Sequence, residues 1–125
     1  MLEARKLSRI VNGVALVQDV SFRVVAGEVM AIVGPSGAGK SSLLRLLNRL
    51  DEPSSGTVYL QGTDYRGLPP RELRRRVGMV TQRAFLFPGT VAENIRFGPL
   101  QRGERPIDST VDSMLARVGL PGYAP

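Results

Sequence analysis

Apolar and polar positions alternate near the start of the chain. Val14, Leu16, Val20, Phe22 and Val24 largely alternate, with Gln18, Ser21 and Arg23 between them. That period of two, also read over residues 2–10, predicts strands at 2–10 and 14–25. Asn12-Gly13 is a hairpin-turn dipeptide, so the two strands are expected to pair antiparallel. After a second turn at Ala26-Gly27, residues 29–33 (Val-Met-Ala-Ile-Val) are apolar without alternation, the pattern of a strand covered on both faces. The period then changes to that of a helix over 41–50. Leu43, Leu46, Leu47 and Leu50 form one stripe, Leu44 widens it, and Arg45 and Arg49 fall on the other side. A turn cluster over 51–56 ends it, and 57–60 reads as a short strand closed by Gly62. Pro69-Pro70 opens a short basic helix over 71–76, and 77–80 (Val-Gly-Met-Val) reads as a strand leading into Thr81-Gln82. Thr90 and Glu93 have the spacing of a capping box. Gly98 and Pro99 are expected to stop the helix it starts, and a polar loop follows over 101–106. A final helix is predicted over 108–118, with Val111, Met114, Leu115 and Val118 on one face and stop signals at Gly119 and Pro121.

Composition narrows the chemistry. At 125 residues, 42% of them hydrophobic, the chain fits one domain or part of a larger one. It has no cysteine and no histidine, which excludes disulfides, thiolate metal sites and histidine general-base catalysis by its own residues. No signal peptide is read at the N-terminus, and no apolar run approaches the ~20 residues of a membrane span. The expected location is therefore the cytosol, or the periphery of a membrane protein. The net charge is +6, carried almost entirely by arginine. The one cluster, Arg71, Arg74, Arg75 and Arg76, has no interleaved aromatic residues of the kind that stack on single-stranded nucleic acid. A solvated surface is the preferred reading of that charge.

The sharpest chemical signal is Gly34-Pro35-Ser36-Gly37-Ala38-Gly39-Lys40-Ser41, which fits G-x-x-x-x-G-K-[ST] at every fixed position. It lies between a predicted strand and a predicted helix, the context the motif requires. Glycines let backbone N–H groups converge on phosphate oxygens, and the helix N-terminus adds its positive dipole. Lys40 is expected to reach the β- and γ-phosphates of a nucleoside triphosphate and the Ser41 hydroxyl to ligate Mg²⁺. The plain alternative is a glycine turn that happens to carry a lysine.

Further residues around this loop resemble a family. They include 16–22 (LVQDVSF), Ala26-Gly27-Glu28, 34–42 (GPSGAGKSS), 43–50 (LLRLLNRL), 53–58 (PSSGTV), 75–82 (RRVGMVTQ), 87–95 (FPGTVAENI) and 118–120 (VGL). Together they resemble the N-terminal half of the nucleotide-binding domain of ABC transporters. The resemblance implies an α/β P-loop NTPase: a truncated ABC ATPase core with an N-terminal antiparallel β subdomain (1–28), a P-loop core to the Q-loop (29–82) and the start of the helical subdomain (83–125). It implies ATP and Mg²⁺ as cofactors. Gly34, Pro35, Ser36, Gly37, Ala38, Gly39, Lys40, Ser41 and Ser42 would be the Walker A loop, and Ser41 and Gln82 the Mg²⁺ contacts. Gln82 would be the Q-loop glutamine, which in the family also contacts the attacking water. An amide suits such a place, since its oxygen can ligate a hard cation while its NH₂ donates elsewhere. A transmembrane permease would dock near 82–88, where Phe85-Leu86-Phe87-Pro88 offers apolar surface.

Two departures bear on the expected function. The family's adenine-stacking aromatic aligns with Val11, which has no ring, so weaker or less base-selective binding is expected. The signature LSGGQ, the Walker B acids, the D-loop and the switch histidine are not found in these residues; the acidic pair Asp51-Glu52 follows a helix rather than a Walker B strand. The expectation is therefore a truncated ABC ATPase on the inner face of the cell membrane. It would bind ATP to energise transport, and hydrolyse it only with the missing half or a second ATPase subunit supplied. Unpartnered ladder edges beside 29–33 are an expected aggregation or complementation site. A nucleic-acid-associated ATPase head and a non-catalytic remnant are the competing readings.

Overall fold

A computed structural model describes residues 1–124; Pro125, the last residue of the third expected region, lies outside them. The chain divides into two compact units, Met1–Val80 and Thr81–Pro125.

The first unit is built on an antiparallel sheet. Strands β1 (Leu2–Val11) and β2 (Val14–Val24) form the predicted hairpin, closing with Val11 opposite Val14. Asn12 (φ 49°) and Gly13 (φ 77°) carry the two positive φ angles that a two-residue turn of the favoured twist demands. The strands are irregular: register shifts separate Ala4 from Leu7 and Leu7 from Arg9. Serines replace ladder bonds there, Ser21 Oγ accepting from the Lys6 N–H and Ser8 Oγ from the Asp19 N–H. Strand β3 (Ser55–Leu60) pairs with the far side of β1, and a two-residue β4 (Thr63–Asp64) extends the order to β2-β1-β3-β4. Neither β4 nor the 3-10 turn Tyr65–Gly67 has a periodic signal in so short a segment.

Helix α1 (Lys40–Leu47) lies against this sheet, with Leu43 and Leu46 buried among Ala4, Leu7, Val17, Val58, Tyr65 and Leu73. Leu73 comes from α2 (Pro70–Arg76), which has proline in its first turn as predicted. The acidic pair after α1 is structural. Asp51 accepts from Arg45 at 2.8 Å and Glu52 from Arg49 at 2.7 Å, and the Arg45 hydrogen bonds hold the Asp51 carboxyl below its ordinary pKa. Part of the arginine cluster is equally committed. Arg74 donates to the carbonyl of Arg49 at 2.6 Å, just beyond the end of α1, and Arg76 pairs with Glu72.

Two expected strands are corrected. Residues 29–33 and 77–80 enter no ladder among the described residues. Val29, Val33 and Val80 are 96, 86 and 97% exposed, the opposite of a strand covered on both faces. Ile32 and Val77 anchor these segments, partly buried against the core, and Met79 is half-buried. A strand exists only as one side of a hydrogen-bonded ladder, and the four-stranded sheet does not include either segment.

The second unit packs two helices. Thr90 caps α3 (Val91–Gln101) with the complete capping box, its hydroxyl accepting from the Glu93 N–H while Glu93 accepts from the Thr90 N–H. The Thr90 N–H donating to its carboxylate lowers the Glu93 pKa. Contrary to expectation, Gly98 and Pro99 do not stop this helix. Pro99 lies near its C-terminal end, and the Arg102 and Gly103 N–H groups bond to the Pro99 and Leu100 carbonyls, so the last turn closes without the missing donor. Gly103, at φ 80°, is the actual terminator. Helix α4 (Asp108–Arg117) buries Val111 and Leu115 against Ala92; Met114 and Val118, predicted on the same face, stay exposed. No helix among the described residues is long and apolar enough to cross a membrane.

Candidate functional site: a glycine loop at the start of a helix

The motif residues 34–41 form a turn-rich loop that delivers directly into α1. Gly37 and Gly39 hold φ angles of 80° and 91°, where a side chain would strain the backbone. At Gly39 space decides as well as conformation. A Cβ there would lie 2.0 Å from the carbonyl oxygen of Leu16, so the loop can sit against β2 only as glycine. The Ala38 N–H bonds back to the Pro35 carbonyl at 3.2 Å, closing the turn, and the Leu43 N–H reaches the Gly39 carbonyl at 2.9 Å to begin the helix.

The start of α1 suits an anion. Gly39 as N-cap has no side chain to satisfy the first N–H groups, and no acidic residue lies in the first turn. The one cation of the loop is Lys40, whose ammonium donates to the carbonyls of Gly34 at 2.6 Å and Pro35 at 2.7 Å. The side chain is thus folded over the loop itself, next to the donors a phosphate would use. Ser41 is exposed and Ser42 half-buried, both in the first turn. Beside the loop opens a cavity of about 360 Å³ lined by Ala15, Leu16, Val17, Gln18, Ala38 and Lys40, among others. Leu16 and Gln18 lie in the stretch 16–22 that resembles the family, but nothing in that stretch marks them as neighbours of the loop. Their nearness to the loop follows only from the packing of β2 on Gly39.

The donor set also bears on a metal. No group of three or more acidic, histidine or cysteine side chains gathers among the described residues. Mg²⁺ is characteristically held through phosphate oxygens, waters and one or two protein oxygens, and the exposed Ser41 hydroxyl beside the glycine loop is an oxygen of that kind. Gln82, the other expected Mg²⁺ contact, is exposed at the start of the second unit.

In that second unit the stretch after Gln82 is an aromatic cluster. Phe85 meets Phe87 edge-on at 5.3 Å between ring centroids, and Phe87 lies 4.3 Å from Phe97. Asn94 holds the segment in place, accepting from the Phe87 N–H at 2.8 Å and donating to the carbonyls of Phe87 and Thr90. Its clamp was not anticipated, although one turn after an N-cap is where an amide can reach back. Phe85, Leu86 and Phe87 border an apolar cavity of about 460 Å³ with Val91, Ile95 and Leu120.

The sequence model of the ABC transporter family matches residues 17–125, from β2 onward. The chain belongs to the ABC transporter family. Among ABC relatives, it is 45% identical to Protein STAR1 of Oryza sativa over 87% of this chain and 32% of that protein. It is 42% identical to ABC transporter I family member 17 of Arabidopsis thaliana over 95% of this chain and 46% of the relative. Identity is again 42% with the spermidine/putrescine import ATP-binding protein PotA of Nitrosospira multiformis, over 98% and 34%. The fold agrees: a bacterial Atm1-family ABC exporter solved with ATP bound superposes with a TM-score of 0.88 at 29% identity, over 99% of this chain and 23% of that one. The chain thus spans less than half the length of each of these ABC proteins. Its architecture is that of the ABC ATPase core, an antiparallel β region leading into the glycine loop and its helix.

Proposed function

We propose that the chain binds ATP with Mg²⁺ as the N-terminal part of an ABC transport ATPase. The observation that carries this reading is the glycine loop locked against the Leu16 carbonyl at Gly39, which presents an uncapped helix start beside Lys40. Residues 34–42 would hold the triphosphate, Lys40 exchanging its two carbonyl partners for phosphate oxygens. Ser41 and Gln82 would ligate Mg²⁺, whose charge offsets that of the phosphates when bound. The cavity beside the loop has no carboxylate in its lining, and Asp51 and Glu52 are paired with Arg45 and Arg49. Positioning a water for γ-phosphoryl transfer therefore needs acidic residues from a second ATPase subunit or from the remainder of a longer domain. The three expected regions, 1–28, 29–82 and 83–125, are offered as parts of such a domain.

In the same reading, the aromatic surface at 85–88 receives a transmembrane permease, and the protein works at the inner face of the membrane. The relatives' names span different cargoes, polyamines among them, so none is proposed. Titration of the chain with Mg-ATP beside Lys40→Ala tests the core of the proposal. Loss of a charge-assisted phosphate contact should weaken binding about 10- to 100-fold. Phosphate release by the unmodified chain alone should match that of the variant. Equal affinities would remove Lys40 from the site.

A further inference from the structure

The net charge of +6 is concentrated in one strip. Residues 70–83 hold five arginines, Arg71, Arg74, Arg75, Arg76 and Arg83, against one acid, Glu72, a balance of +4. Residues 1–69 hold eight basic and six acidic side chains, and residues 84–125 hold four of each. The fold turns that charge outward. Leu73 is fully buried in the core of the first unit and anchors α2, while the four arginines around it are all exposed. Hydrogen bonding does not cancel the charge at Arg74, whose acceptors are the neutral carbonyls of Asn48 and Arg49. The one acid of the strip is already paired with Arg76.

We infer that this strip docks on anionic phospholipid headgroups of the membrane around the permease. The inference rests on the reading of a membrane-side protein given above, and not on the nucleotide site. A guanidinium meets phosphate oxygens through paired N–H groups, and each basic residue near an anionic bilayer strengthens partitioning about fivefold. Along the chain the strip runs directly into exposed apolar residues. Val80 is 97% exposed, and Phe85 and Leu86, in the segment offered to the permease, are 77% and 70% exposed. Basic residues followed by exposed apolar ones suit a headgroup layer over acyl chains. Nucleic acid would match the charge alone. Residues 66–84 have no aromatic side chain to stack on a base, α2 has no amide to read base edges, and Val80 and Leu86 gain nothing from a phosphate backbone.

The test is co-sedimentation of the full chain, without nucleotide, with vesicles of phosphatidylcholine alone or with about 30% phosphatidylglycerol. Partitioning onto the anionic vesicles should be about 100-fold stronger, and should fall about tenfold as salt rises from about 50 to about 200 mM. Arg71→Gln with Arg75→Gln, checked for folding by circular dichroism, should weaken it about 25-fold. Arg102→Gln with Arg117→Gln removes as much charge from the second unit and should change it less than about threefold. Arg83→Gln, at an exposed loop position, should cost about fivefold and keeps the test open if the α2 variant does not fold. Equal losses from the two double variants, or equal binding to neutral vesicles, would overturn the inference. So would release of the chain from anionic vesicles by duplex DNA at equal phosphate concentration. Absence of binding to either vesicle would overturn it too, while the Mg-ATP titration reports on the nucleotide reading separately.

Discussion

The sheet residues of β1 and the segment 29–33 are both expected as strands, one from alternation and the other from an unbroken apolar run, and have opposite fates. Both contain aliphatic residues and are followed by turns. In β1, Ala4 and Leu7 are 1% and 0% exposed, and the strand pairs on both sides, with β2 and β3. In 29–33, two of three valine and isoleucine side chains are almost fully exposed and no ladder forms. The difference lies in the supply of partners. β1 obtains β2 across a two-residue turn, whereas 29–33 leads into a glycine loop and a helix, which returns the chain to the sheet's other edge. Apolar content by itself does not make a strand.

Amide hydrogen exchange gives the widest expected separation along that comparison. The amides of Ala4 and Leu7 should require an opening free energy near that of global unfolding, on the order of 5 kcal/mol or more. Those of Ala31 to Val33 should exchange close to the free-chain rate. Comparable protection in the two segments would show that 29–33 is paired in solution. Truncating side chains should repeat the contrast on a smaller scale. Leu7→Ala is expected to cost about 2–5 kcal/mol in denaturant unfolding, and Val33→Ala within about 0.5 kcal/mol. A cost at Val33 near that at Leu7 would break the comparison.

The smallest effect concerns a flaw within the well-partnered core. The Tyr65 hydroxyl is buried without a hydrogen-bond partner, and burial pushes its pKa up to about 12. Tyr65→Phe should be neutral or stabilising by up to about 1 kcal/mol, since no hydrogen bond is lost. The sign of the pH effect follows from the raised value. The neutral phenol's contribution is fully present below the unfolded pKa near 10 and is lost as pH rises toward 12. Stability of the unmodified chain should therefore fall more steeply between pH 10 and 12 than that of Tyr65→Phe. Parallel curves would mean that Tyr65 ionises freely in the folded state.

Much of the fold was legible where a local rule was sufficient. The hairpin followed from alternation plus Asn12-Gly13, α1 from its leucine stripe, and the start of α3 from Thr90 and Glu93. The end of α3 was not legible from Pro99, because the effect of a proline depends on where in the helix it falls, and here it lies in the last turn. Of the candidate site, Lys40 and the glycines were visible as a spaced motif. The role of Leu16 was not, because a backbone carbonyl has no residue-type signature, and the Asn94 clamp depends on where the loop 87–90 comes to lie.

Sequence alone therefore determined the glycine loop, since G-x-x-x-x-G-K-S between an apolar run and an amphipathic helix is legible without any distant contact. It also determined the hairpin, whose partners are adjacent in the chain. Tertiary structure decided which apolar segments became strands, what the acidic pair and Arg74 are bound to, and which side chains wall the cavity beside the loop. Those outcomes depend on contacts between residues distant in sequence, such as Gly39 with Leu16 and Arg74 with Arg49. No periodicity or spacing records them.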